Sequence, residues 1–169
     1  FNNIENNFYK YANVLPSNYS SDFNKENLEF NLQIVDRLKY SKIGLTTLSS
    51  NLISSGVDIY NFTKLPYEYE NQYFYTYILS LYKKLFMRRI NLEFKNLDTI
   101  NSTRNKFIKF VKEVWDKEIT NNEDGNTYYK SIKRVLELDE IYAQIEQKYE
   151  IIYKDMNIEK NNQYSRLRI

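Results

Sequence analysis

Apolar residues recur at steps of three and four along nearly the whole chain, the spacing that lays one face of an α-helix against a core. The first such run covers Asn2 to Leu15, with Ile4, Phe8, Tyr11 and Leu15 on one side. Pro16 closes it, because the residue before a proline avoids the helical region. Residues 17–22 (SNYSSD) then read as a loop ending in N-cap candidates. The second run is the longest, from Asn24 to Phe62: Ile34, Leu38, Leu45, Leu48, Leu52, Ile59 and Phe62 keep the period, and Ser41 and Ser55 fill its two gaps. Gly56 is a natural place for it to break.

Pro66 suits the first position of a third helix, where a missing N–H costs nothing. The pattern continues from Tyr67 to about Phe94 in two adjacent stripes, Phe74, Ile78, Leu81 and Leu85 beside Leu79, Tyr82, Phe86, Ile90 and Phe94. So wide an apolar arc predicts more than one packing neighbour. Asp98 or Thr99 can cap the next helix, lined by Ile100, Phe107, Val111, Val114 and Trp115 and ended by a turn at residues 121–125 (NNEDG). The last helix runs from Thr127 to about Met156, with Ile132, Val135, Leu138, Tyr142, Ile145, Tyr149, Ile152 and Met156 in a heptad-like repeat. Residues 159–169 form a polar tail expected to fray. The predicted fold is all-α: one domain over 1–169, an antiparallel up-down four-helix bundle preceded by a short extra helix within residues 1–22.

Composition narrows the function more than the fold. The 169 residues include no Cys and no His, which excludes disulfides, thiolate or imidazole metal sites and the Cys–His and Ser–His–Asp types of catalysis. Only three Gly and two Pro are present, too few for a turn-rich β fold. With 24 basic and 22 acidic residues the net charge is +2, which gives no sign of a nucleic-acid partner. There is no glycine-rich phosphate loop and no nucleophile elbow. The carboxylates Glu113, Asp116, Glu118, Asp139 and Glu140 read as solvated helix faces. These features predict a protein that is not an enzyme and needs no cofactor or metal.

Three groups of residues could carry a function by contact. Ser41, Thr47 and Ser55 are candidate polar core positions: hydroxyls on an apolar stripe either let helices approach closely or weaken the core enough for the bundle to open. Tyr67, Tyr69 and Tyr73, in a segment that also holds Tyr75 and Tyr77, are candidate contact residues, since an exposed tyrosine covers much area at low entropic cost. Lys83, Lys84, Arg88 and Arg89 fall within two helical turns and could meet phosphates or anionic headgroups. Asn18, Asn61 and Asn101 begin glycosylation triplets that matter only in a secreted protein of a glycosylating cell.

The chain is also rich in Asn, Lys, Ile and Tyr, with 22 Asn and 17 Tyr, which fits an A/T-rich genome. Together with scarce Gly and long amphipathic helices, this makes the chain similar to the secreted all-helical proteins of malaria parasites. The resemblance covers the whole chain and implies a secreted, non-catalytic protein that helps a parasite cross host cells, with a membrane surface or a host protein as partner. The first residue, Phe1 in place of Met, points the same way, towards an exported protein or ectodomain. An extracytoplasmic four-helix sensor domain of a bacterial receptor and a cytosolic adaptor bundle are the alternatives.

Overall fold

A computed structural model describes residues 33–38, 40–115 and 123–166. The expected helix within residues 1–22, Asn18, and the carboxylates Asp116 and Glu118 lie outside the described residues. Most of what is described is helical, as the apolar spacing predicts. It forms two compact units: residues up to 82 with 123–137, and residues 83–115 with 138–166.

The first unit opens with a correction. The long helix expected from Asn24 to Phe62 is, over residues 33–54, an antiparallel meander of β1 (Gln33–Leu38), β2 (Ser41–Leu45) and β3 (Ser50–Ser54), in the order β1-β2-β3. Val35 pairs with Ile43, and Ile43 with Leu52. A bulge between Asp36 and Leu38 shifts the β1 register. The physical reason is local. Hydroxyl side chains offer the backbone bonds that compete with a helix. The Thr46 hydroxyl accepts from the N–H groups of Leu48 (3.2 Å) and Ser49 (3.0 Å), which folds residues 46–49 into the β2–β3 turn. With the turn fixed, Ile43 and Leu45 alternate correctly for a half-buried strand, and both are fully buried.

A helical run follows from residue 59. Asp58 caps it: its carboxylate accepts the Asn61 N–H at 2.8 Å and the Asn61 side-chain amide at 2.7 Å, and these bonds hold its pKa below the usual value. The run passes through a π-turn (Tyr60–Lys64), α1 (Leu65–Glu68), a second π-turn (Tyr69–Tyr73) and α2 (Phe74–Glu93). Pro66 sits in the first turn of α1, as expected. α4 (Glu123–Leu136) packs against β1 and β2, and α1 lies against β3. The predicted turn at 121–125 is therefore already helical from Glu123.

The second unit holds the C-terminal part of α2, a 3₁₀ turn (Leu97–Thr99), α3 (Ile100–Phe110), a π-turn (Val111–Trp115) and α5 (Leu138–Arg166). Thr99 precedes α3 as predicted, without a side-chain cap bond. The core is Met87, Ile90, Phe94, Phe107, Phe110 and Ile145. Phe86 stacks on Phe110 at 4.1 Å between ring centroids, and Trp115 on Tyr142 at 4.7 Å. The expected last helix is thus two helices, α4 and α5, separated by Glu137 in the left-handed region at φ 54°. α5 continues to Arg166, well into the tail expected to fray.

Candidate functional site

The most structured polar feature of the first unit is a buried group of tyrosines around one serine. Tyr69, Tyr73 and Tyr77 are spaced by four, so in a regular α-helix each would step about 40° around the axis from the one before. The π-turn over Tyr69–Tyr73 takes in one more residue per turn and cancels part of that drift. All three then address one side. Tyr69 donates to the Ser50 hydroxyl at 2.9 Å, and the Tyr128 hydroxyl of α4 lies 3.0 Å from the same oxygen. Tyr77 donates to the Thr46 carbonyl at 3.1 Å. Tyr73 meets the Tyr128 ring edge-on at 4.9 Å. The start of β3, the helical run and α4 are thereby tied together by phenols.

Burial controls the acidity of these phenols. It pushes Tyr69 and Tyr77 up to about 12 and raises Tyr128 as well, against partial relief from the Ser50 bond at Tyr69 and Tyr128. Such groups stay neutral at physiological pH, where they act as hydrogen-bond donors.

Beside this network lies an open groove of about 500 Å³, lined by Ser50, Asn51, Leu52 and Ser54 of β3 and by Pro66, Tyr69, Glu70 and Phe74 of the helical run. Among the described residues β3 is an edge strand. The bonds Thr46 N–H to Ser49 and Ser55 N–H to Tyr40 fix which β3 residues bond to β2. They make 49, 51, 53 and 55 the hydrogen-bonded set, so the main-chain groups of Ser50, Leu52 and Ser54 point to the edge. The groove thus offers a strand edge, an apolar wall of Leu52, Pro66 and Phe74, and one carboxylate, Glu70.

The sequence-predicted residues divide. Ser41 is buried, but in β2, and its hydroxyl has no hydrogen-bond partner among the described residues. Thr47 is exposed in the β2–β3 turn, and Ser55 is half-buried just after β3. None of the three lies on a helical stripe, which corrects the expectation of a polar-interrupted helix. Of the expected contact surface, Tyr67, Arg88 and Arg89 are exposed and Tyr69 lines the groove. Tyr73, Lys83 and Lys84 are buried, a second correction. Lys83 gives its ammonium to the Trp115 carbonyl at 3.1 Å and lies over the Trp115 ring. Its aliphatic stem is long enough to serve as core while the charge finds a partner. Asn61 is buried and bonded to Asp58, whereas Asn101 is exposed on α3. Glu113, Asp139 and Glu140 are exposed, as read from the sequence.

Ser50 and Tyr128, the centre of the network, are not among the candidate residues read from the sequence. The one local signal was the hydroxyl-rich stretch 46–50 (TTLSS), which reads as a turn once its side-chain-to-backbone bonds are considered. No family model, no curated protein and no solved structure matches the chain.

Proposed function

We propose that the chain is a non-enzymatic contact module that captures an extended peptide segment of another protein along the outer edge of β3, which is unpaired among the described residues. The observation that carries this reading is the 500 Å³ groove whose one wall is the edge strand β3 and whose other wall carries Pro66, Phe74 and the Glu70 carboxylate. An incoming strand would bond the outward main chain of Leu52 and Ser54 and lay alternate side chains against Pro66 and Phe74. Glu70 favours a basic residue in the captured segment. The same carboxylate disfavours an anionic lipid surface, so a protein segment fits better than a membrane. Val57, Ile59, Phe62 and Tyr67 are also largely exposed, within eleven positions of one another. Exposed apolar side chains at that density suit a contact surface. In the secreted setting that the sequence resemblance implies, the captured segment would belong to a host-cell protein.

The test is selection of linear peptides from a random display library against the intact chain, followed by hydrogen exchange with the winning peptide. Binders carrying an apolar and a basic residue should emerge, and they should slow exchange at Leu52 and Ser54. Leu52→Pro removes an outward donor without touching a β2 bond and should abolish binding. Phe74→Asp should do so from the opposite wall, in case the proline variant fails to fold. Failure to enrich any peptide, or binding that survives in the folded Phe74→Asp variant, would overturn the reading.

A further inference from the structure

Helix α2 carries two seams of the same period. One is buried by its own chain and includes Tyr77, Ser80, Lys84 and Met87, at steps of three and four. The other faces solvent. It consists of Tyr75, Ile78, Tyr82, Leu85, Arg89 and Leu92, again at strict steps of three and four. The five apolar members are 67%, 44%, 49%, 57% and 64% exposed in that order. A helix that needed only one packing face would place polar residues at these positions. Three of the six, Ile78, Leu85 and Leu92, repeat every seventh residue with a branched aliphatic side chain, the pattern of a coiled-coil seam.

We propose that α2 is a self-association helix, pairing antiparallel with α2 of a second copy of this chain through Tyr75, Ile78, Tyr82, Leu85, Arg89 and Leu92. Three observations select this occupant. First, the seam is self-complementary when reversed. A two-fold axis midway between Tyr82 and Leu85 sets Tyr75 against Leu92, Ile78 against Arg89 and Tyr82 against Leu85. Each layer then pairs one long or aromatic side chain with one aliphatic, which interdigitates without a void. The contact is isologous, so the assembly closes at two copies.

Second, charge selects the orientation. A parallel, in-register pair would stack Arg89 on Arg89, with Arg88 alongside. The antiparallel pair separates the two Arg89 residues by eleven helical positions, about 16 Å. The Arg89 stem can lie across Ile78 while its guanidinium stays at the rim, where it already pairs with Glu93 at 2.9 Å.

Third, the area suffices. Covering the exposed parts of these side chains on both copies removes on the order of 1,000 Å² from water, the lower bound for a specific interface. The seam drifts only about 20° per heptad on a straight helix, which a slight left-handed supercoil absorbs over so short a length.

Light scattering and sedimentation over a roughly hundred-fold range of concentration should show a monomer–dimer equilibrium. The exposed-site variant Ile78→Asp with Leu85→Asp should keep its helical circular dichroism and weaken dimerisation by about 100-fold or more. Orientation is read by disulfide trapping, which is clean because the chain has no cysteine of its own. A mixture of Ile78→Cys and Arg89→Cys chains should give a mixed disulfide dimer. Arg89→Cys alone should not cross-link to itself. A chain that stays monomeric at every concentration, or a dimer unaffected by the aspartates, overturns the proposal. An Arg89→Cys homodimer overturns the antiparallel pairing.

Discussion

Ser41 and Ser50 are both buried serines at the two ends of the same hairpin, paired with Ser54 and Leu45 respectively, and their hydroxyls have opposite roles. The Ser41 hydroxyl has no partner among the described residues, while that of Ser50 meets two phenols. An unsatisfied buried hydroxyl costs its desolvation and returns nothing. Ser41→Ala should therefore raise the stability of the protein by about 1 kcal/mol, read as a higher urea midpoint by circular dichroism at unchanged slope. A lower midpoint would show that the hydroxyl is bonded after all. At this scale the sequence was partly legible. That Ser41 is a polar core position could be read from its place in an apolar pattern. That Lys83 and Lys84 are buried could not, because residue type predicts exposure for lysine unless a carbonyl and a ring happen to receive it, as those of Trp115 receive Lys83.

At the scale of elements, the helices from Pro66 onward were legible because their apolar period extends over many turns and no competing pattern interrupts it. The meander was not. Ile34, Leu38, Leu45, Leu48 and Leu52 fit a helical period by spacing alone, and the alternation of Ile43 and Leu45 is too short to outvote it. The deciding bonds are those of the Thr46 hydroxyl, a local chemistry that a periodicity count does not see. Ser50 then fastens the end of that hairpin to α4 and to the helical run. Ser50→Ala strands the buried Tyr128 phenol and the half-buried Tyr69 phenol at once and should cost about 2 kcal/mol. Tyr128→Phe keeps the edge-on ring contact with Tyr73, loses one hydroxyl and should cost about 1 kcal/mol. Because both changes delete the same bond, the double variant should cost less than the two losses added, by roughly 1 kcal/mol in a double-mutant cycle. Strict additivity would mean that the Ser50–Tyr128 bond contributes nothing.

Across the whole molecule, the division into two units was not legible, since it depends on contacts between segments far apart in sequence, such as β2 with α4. That division makes one pH dependence assignable. The raised phenols Tyr69, Tyr77 and Tyr128 all belong to the first unit, whereas the single tryptophan, Trp115, belongs to the second. A tyrosine in the unfolded chain loses its proton near 10, and in the fold Tyr69 and Tyr77 hold theirs to about 12. Above pH 10 the folded state thus binds more protons than the unfolded state, and stability falls as pH rises. The contribution of these groups is complete below pH 10 and is lost through the window from about 10 to 12, on the order of 2 kcal/mol for the well-buried Tyr77. Urea unfolding followed by circular dichroism should therefore show a midpoint that drops through that window. The Tyr77→Phe variant, which cannot ionise there, should drop less steeply than the parent chain although it starts lower. Trp115 fluorescence recorded in the same titrations reports on the second unit: if its midpoint moves in step with the dichroism, the two units unfold as one cooperative body, and if it stays behind, each unit has its own transition. A parent midpoint that is flat from pH 10 to 12 would mean that the phenols are already open to solvent, and that Ser50 does not hold the network closed.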